Sequence, residues 1–175
     1  GVNSFKVEGR TKSLYYVSAV AKAYRNAIDE CVKNPDADLH KYFVELKKVG
    51  NRGYTTGFAL GNNDSSSYSY DISKGLAGAD FLCEIAGRED DWYRIKIKNK
   101  FFKNEDIEII TPSEKFITQV TEIKTMKGEE LELANTNDDL WVKFAKAPLD
   151  YEYAMARTVG IKGNVNEVQK CSCGD

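Results

Sequence analysis

The sequence predicts an α+β fold that is mainly β: one strand and two helices, followed by a small antiparallel β-barrel. Two observations carry this. Between residues 14 and 31 apolar side chains recur at three- and four-residue spacing, the period of a packed helix. From Gly53 onward the period falls to about two, with turns every eight to twelve residues, as in an antiparallel barrel or sandwich. A barrel is the better solution for many short strands, because closure removes the edges an open sheet would expose.

In chain order, Phe5 and Val7 alternate with Lys6 and Glu8, the period of a strand with one polar and one apolar face, and Gly9 breaks it. Thr11 or Ser13 then serves as N-cap of a long helix. Leu14, Val17, Ala21, Tyr24, Ile28 and Cys31 form one apolar stripe of that helix, and Tyr16, Val20, Ala23 and Ala27 a second, so burial on more than one side is expected. A strand feeding such a helix is half of a βαβ unit and requires a parallel neighbour. Nothing later in the chain supplies one, and an unpaired edge there invites a second copy of the chain, a homodimer. Asn34-Pro35-Asp36 punctuates the chain, and a second helix from Asp38 places Leu39, Tyr42, Phe43, Leu46 and Val49 on one face, with Gly50 to end it.

Strands are expected at 53–60, 79–86, 92–98, 107–111, 116–125, 130–134 and 140–145. The connections agree: a Ser-rich polar loop at 61–71, and hairpin turns at "GREDD", "KNED" and "MKGEE", the last with Gly128 available for positive φ. This divides the chain into a helical unit at 1–50, a β-barrel at 51–160 and a disordered tail at 161–175.

Composition narrows the function classes. The 175 residues are 42% hydrophobic, enough for one full core or a core with an appendage. Met126 and Met155 are the only methionines, so the sequence reads as a processed product, an excised piece or a partial reading frame. No secretory signal pattern and no apolar run of membrane-spanning length is present, so the expectation is a soluble cytoplasmic chain with no membrane partner. With a net charge of −2, any polyanion-binding role has to come from a local patch. Cys31 and Cys83 read as small buried hydrophobes, and Cys171 and Cys173 are too few for a closed metal site, so no metal or cofactor is expected within these residues.

Catalytic chemistry finds little support. His40 lacks a cysteine or serine at any recognisable spacing and reads as a helix-surface residue. Asp90-Asp91, Glu129-Glu130 and Asp138-Asp139 fall at turns, where they read as solvated residues and not an acid/base dyad. "LANTNDDL" lacks the glycine and final glutamate of a calcium loop.

Three constellations remain, each beside a plainer reading. Lys6, Glu8 and Arg10 alternate toward one side of the first strand and its exit turn, as an anion clamp or an ordinary ion-pair network. Arg94, Lys96, Lys98 and Lys100 repeat every second residue behind Trp92 and Tyr93, either a phosphate-neutralising stripe with a ring for base stacking or the solvated face of a barrel strand. Arg52, Tyr54 and Thr55, among Gly50, Gly53 and Gly57, line a groove or mark close backbone packing between helix and barrel.

The motifs "FKVEGR", "YYVSAVAKAYRNAID", "VGNRGYTTGF" and "KNKFFKNEDIEIITP", in that order, resemble the C-terminal third of the peptidase U32 family, the collagenase-like proteases, and the resemblance runs from about Val2 to Arg157. It implies that the first strand and helix are the last of a TIM-like barrel, whose C-terminal face would make Lys6, Glu8 and Arg10 ligand-handling, and that the β-barrel is the accessory domain following it. It implies, for the parent protein, peptidase activity or RNA hydroxylation on tRNA or rRNA, and in related members an iron–sulfur cluster on cysteines. The family's cysteine motif lies upstream and has no counterpart here, so no catalytic residue is carried over. The expected role is therefore non-catalytic: an accessory domain that positions a macromolecular substrate, RNA before a protein or glycan, beside the upstream TIM-like domain.

Overall fold

The computed structural model describes residues 3–51, 54, 61 and 78–160. Two helices, α1 (Leu14–Lys33) and α2 (His40–Lys47), precede eight strands: β1 (Phe81–Glu89), β2 (Trp92–Ile97), β3 (Phe101–Phe102), β4 (Asp106–Ile110), β5 (Lys115–Thr125), β6 (Leu133–Ala134), β7 (Asp139–Phe144) and β8 (Met155–Thr158). Six of them close an antiparallel barrel in the order β1-β2-β7-β5-β4-β8, while β3 and β6 pair separately. The barrel is the fold class read from the sequence. Apart from Tyr54, the strand expected at 53–60 lies outside the described residues with the glycines at 53 and 57, as do the tail and, apart from Gly61, the Ser-rich loop.

Alternation decides what the barrel encloses. Tyr93, Ile95 and Ile97 of β2 point inward with Ile107 and Ile109 of β4, Val120 and Ile123 of β5, and Leu140 and Val142 of β7. The turns are those the residues allow: Asp90 takes a left-handed φ of 51° in the β1–β2 hairpin, and Gly128 one of 93° before β6. A bulge between Ile85 and Gly87 lets β1 follow the curve of the wall.

Two expectations fail at the N-terminus. Residues 3–9 form no strand, because no neighbouring strand is present among the described residues to pair with them. The segment instead lies along α1: the Phe5 ring is 6.4 Å from that of Tyr24, and a Cβ on Gly9 would stand 2.9 Å from Val17. Without a strand there is no unpaired strand edge at 5–8, so the physical reason for expecting a homodimer there falls away. The second correction concerns α1. Ser13 caps it by accepting from the Tyr16 amide, but only one face is covered. Tyr15, Val20 and Ala23 are buried, while Leu14, Val17, Ala21, Tyr24 and Cys31 of the first stripe are exposed. Cys31 is thus not the buried hydrophobe its helical position suggested, whereas Cys83 is fully buried and its thiol is pushed up to about 12 by that burial.

The covered face of α1 and the Glu45–Leu46 side of α2 sit over the outer side of β4 and β8. Tyr15, Val20, Val49 and Met155 form a second apolar cluster there, extended by Leu46, Phe81 and Ile110, and the Tyr15 and Phe81 rings stack at 4.9 Å. On that side outward-facing residues are buried too. Glu108 of β4 lies opposite Arg157 of β8, and Arg157 has no exposed surface. Its Nε donates to Glu108 at 2.6 Å, one terminal nitrogen to Glu45 of α2 at 2.5 Å, and the other to the Tyr15 hydroxyl at 3.3 Å. Lys48 Nζ lies 3.2 Å from Glu108 and 3.1 Å from Glu45, and Lys115 Nζ 2.6 Å from Glu45. Lys22 of α1 donates to the carbonyls of Thr111 and Glu114, fastening that helix to the β4–β5 turn.

This cluster makes two predictions. Arg157→Met takes the buried guanidinium from Glu108 and Glu45, leaving them only Lys48 and Lys115, and is expected to cost about 3 kcal/mol, whereas adding Glu108→Leu recovers most of the loss. Urea titration of the three chains reads both values, and a double variant no better than the single one contradicts the assignment. Burial by itself would raise the Glu45 carboxyl, but hydrogen bonds from Lys115, Arg157 and Lys48 reverse that and bring it from 4.5 down to about 2. A depressed carboxyl contributes stability that is fully present above its unfolded value and lost as the pH falls through its folded one. Thermal stability is therefore expected to fall between pH 4.5 and 2, and to fall less steeply in Glu45→Gln.

Candidate nucleic-acid interface

Because the helices cover the β4 and β8 side, the outer face of β2, β7 and β5 is left to solvent. Along β2 the inward Tyr93, Ile95 and Ile97 force Trp92, Arg94 and Lys96 outward, and the stripe continues through Lys98 and Lys100 beyond the strand. The register then adds what the neighbouring strands carry. Arg94 lies opposite Trp141 of β7, and Trp141 opposite Lys124 of β5. Lys143 lies opposite Glu122 and bonds it at 2.9 Å. The Lys124 and Lys143 ammonium groups stand 3.7 and 4.5 Å from the centre of the Trp92 ring.

The stripe is real but partly neutralised. Arg94 grips Asp139 through two nitrogens, one of them 3.1 Å from each carboxylate oxygen, and this hydrogen bonding holds the Asp139 carboxyl below the usual range. Lys98 stands 3.6 Å from Glu84. Lys96 and Lys100 are exposed. The face thus offers Arg94, Lys96, Lys98, Lys124 and Lys143 against Glu84, Glu122 and Asp139, interleaved with two tryptophans. Cations beside aromatic rings neutralise phosphates and stack bases without demanding a sequence.

The other expected site residues do not join this face. Lys6 and Glu8 pair at 3.5 Å on the exposed N-terminal segment, and Arg10 is exposed in the turn before α1. Tyr54 packs on the Phe43 ring at 5.5 Å and donates to the Leu46 carbonyl at 2.8 Å, its hydroxyl pushed up to about 12 by burial. Arg52 and Thr55 lie outside the described residues. His40 is exposed at the start of α2, 6.3 Å from the Phe43 ring. Among the described residues no three His, Cys, Asp or Glu side chains are grouped to hold a metal ion. Cys31 and Cys83 sit on a helix surface and in a barrel wall, an arrangement that does not fit an iron–sulfur cluster. No described helix is long and apolar enough to cross a membrane.

Profiles of known families match almost all of the described structure. The profile of peptidase family U32 covers residues 1–69, and that of the peptidase family U32 C-terminal domain covers residues 78–157. The chain belongs to peptidase family U32. Among its relatives, tRNA hydroxylation protein P of Escherichia coli is 32% identical over 136 residues, which is 77% of this chain and 30% of that protein. An uncharacterised protease of Methanocaldococcus jannaschii is 41% identical over 96 residues, 54% of this chain and 21% of the other. The chain thus spans about a third or less of the length of these curated relatives. A crystal structure of the C-terminal domain of a Geobacillus thermoleovorans U32 peptidase aligns with a TM-score of 0.41 at 23% identity, over 45% of this chain and 99% of that one.

Sequence reading missed Trp141, Lys124 and Lys143. They alternate correctly on their own strands, yet β2, β7 and β5 are not neighbours in sequence, and only the closed order sets them side by side. The accessibility of the two described thiols provides a check on the placement of α1 and β1. Cys31 is expected to react with iodoacetamide within minutes in the folded chain and Cys83 only on unfolding, as peptide mapping by mass spectrometry would resolve.

Proposed function

We propose that this U32 C-terminal segment is a non-catalytic accessory unit that positions RNA, with tRNA as the favoured substrate, for hydroxylation by the rest of its parent protein. The observation that carries the reading is the open β2–β7–β5 face, where cations and tryptophans alternate on the side of the barrel that the helices leave free. The names of the Escherichia coli, Haemophilus influenzae and Bacillus subtilis relatives support the choice of tRNA. In this reading the upstream TIM-like domain packs on the exposed stripe of Leu14, Val17 and Tyr24 together with Phe5 and Val7, and Lys6, Glu8 and Arg10 serve an anionic ligand of that domain. The chemistry, with any iron–sulfur cluster, belongs to the parent beyond these residues.

A second reading rests on the likeness to the Methanocaldococcus jannaschii protease: the barrel grips a protein or glycan substrate for proteolysis. Salt separates the two. Fluorescence anisotropy with bulk tRNA is expected to show micromolar binding that weakens steeply with salt, and the triple variant Arg94→Glu, Lys96→Glu, Lys98→Glu is expected to lose it. Removing the counter-charge with Asp139→Asn frees Arg94, and is expected to tighten binding severalfold and steepen the salt slope. Absence of tRNA binding at low salt in the native chain would sink the RNA reading and send the search to peptide and glycan ligands.

A further inference from the structure

The cationic stripe ends in a groove of about 660 Å³ at the end of the barrel where β1 and β4 begin and β8 ends. Lys100 lies on its wall, as do Phe102, Lys103, Asn104 and Asp106. Phe102 is a large apolar residue with 52% of its surface exposed, although β3 has an interior to point into and Phe101 next to it is fully buried. Strand alternation puts one ring of that pair in the core and leaves the other exposed at the groove. Lys103 is held by Glu132 at 3.0 Å and Glu105 accepts from the Phe102 amide at 2.8 Å, so the wall behind the ring is fixed. Asn104 holds a left-handed φ of 65°, anchored by its amide donating to Val120 at 2.7 Å and its carbonyl accepting from Gln119 at 3.0 Å.

The chemistry of the groove differs from that of the stripe. Its lining mixes Lys100 and Lys103 with the carboxylates of Asp80, Glu105 and Asp106, which oppose a phosphate and can accept hydrogen bonds from an amino group. An exposed ring, a carboxylate acceptor and a side-chain amide are what a single unpaired base requires: a π-face to stack on and partners for its hydrogen-bonding edge. We propose that this groove is a nucleobase pocket that takes one unpaired, amino-bearing base, cytosine, from a strand whose phosphates follow Arg94 to Lys100, and discriminates against uracil, which lacks the amine. Phe102 stacks the base, and Asp106 accepts from its exocyclic amine, the pairing a carboxylate makes with cytosine N4. The proposal rests on the RNA-binding reading and adds to it a place and a base preference.

The test uses the 175-residue chain and fluorescein-labelled ten-nucleotide oligo(C) and oligo(U) RNA. The native chain is expected to bind oligo(C) about fivefold more tightly than oligo(U). Phe102→Ala is expected to weaken oligo(C) binding about tenfold, and Asp106→Asn to erase the preference while keeping most of the affinity, both with an unchanged circular dichroism spectrum. Equal binding of the two oligonucleotides by the native chain, or Phe102→Ala binding like the native chain, overturns the pocket while the stripe, and with it the RNA reading, stands. If the native chain binds neither oligonucleotide, titration with cytidine and uridine monophosphate followed by the Phe102 ring resonances decides. A saturable shift specific to the cytidine nucleotide supports the pocket without the stripe, and no shift overturns it.

Discussion

The structure depends on one arginine. Among the described residues Arg157 is the largest side chain with no exposed surface, and it stands at the outer face of β8, where a barrel residue would ordinarily meet water. Glu108 from the next strand and Glu45 from α2 neutralise it, and Tyr15 from α1 meets its remaining nitrogen. Two charges so far removed from solvent are tolerable only when both are paired and hydrogen-bonded, so barrel and helices have to be in place together. The guanidinium suits this role because its planar fork reaches three partners in three directions, which a lysine ammonium on the same strand would not do with the same geometry.

From this constraint follows the division of the barrel surface. Covering β4 and β8 with α1 and α2 buries Met155, packs the half-buried Ile110 and Phe81 against it and gives the molecule a second apolar core outside the barrel. The opposite wall remains wet, and its outward positions are charged or aromatic. A face of that composition contributes little to folding. Its ion pairs are exposed and so of small energetic weight, which leaves its residues available for recognition. The same asymmetry runs along α1, whose buried face is committed to the barrel while Leu14, Val17 and Tyr24 stay exposed.

The sequence carried the barrel strands well. β2, β4, β5 and β7 alternate apolar and polar residues along most of their length, and their expected bounds, with those of β1, lie within a few residues of the observed ones. Two elements escaped for physical reasons. Phe101–Phe102 is too brief to show a period, and β8 is buried on both sides, so Met155, Ala156 and Arg157 do not alternate in polarity, whereas Leu133–Ala134 is the end of the strand expected at 130–134. The first strand failed in the opposite way. Its alternation is present in Phe5, Lys6, Val7 and Glu8, but a strand is a relation between two chains of backbone, and the described residues hold no second one.

By itself, then, the sequence determined the family, the period of each long element and the cationic repeat of Arg94, Lys96, Lys98 and Lys100, because these are properties of residues near one another along the chain. Only the tertiary structure decided which of those charges stay free, that Asp139 would hold Arg94, and that Trp141, Lys124 and Lys143 would complete the same face. It also decided that Glu45, Glu108 and Arg157, spread over more than a hundred residues, would meet in one buried cluster. Charge pairing and closure are set by the order of strands around the barrel and by what covers them, and neither is written in the local spacing of residues.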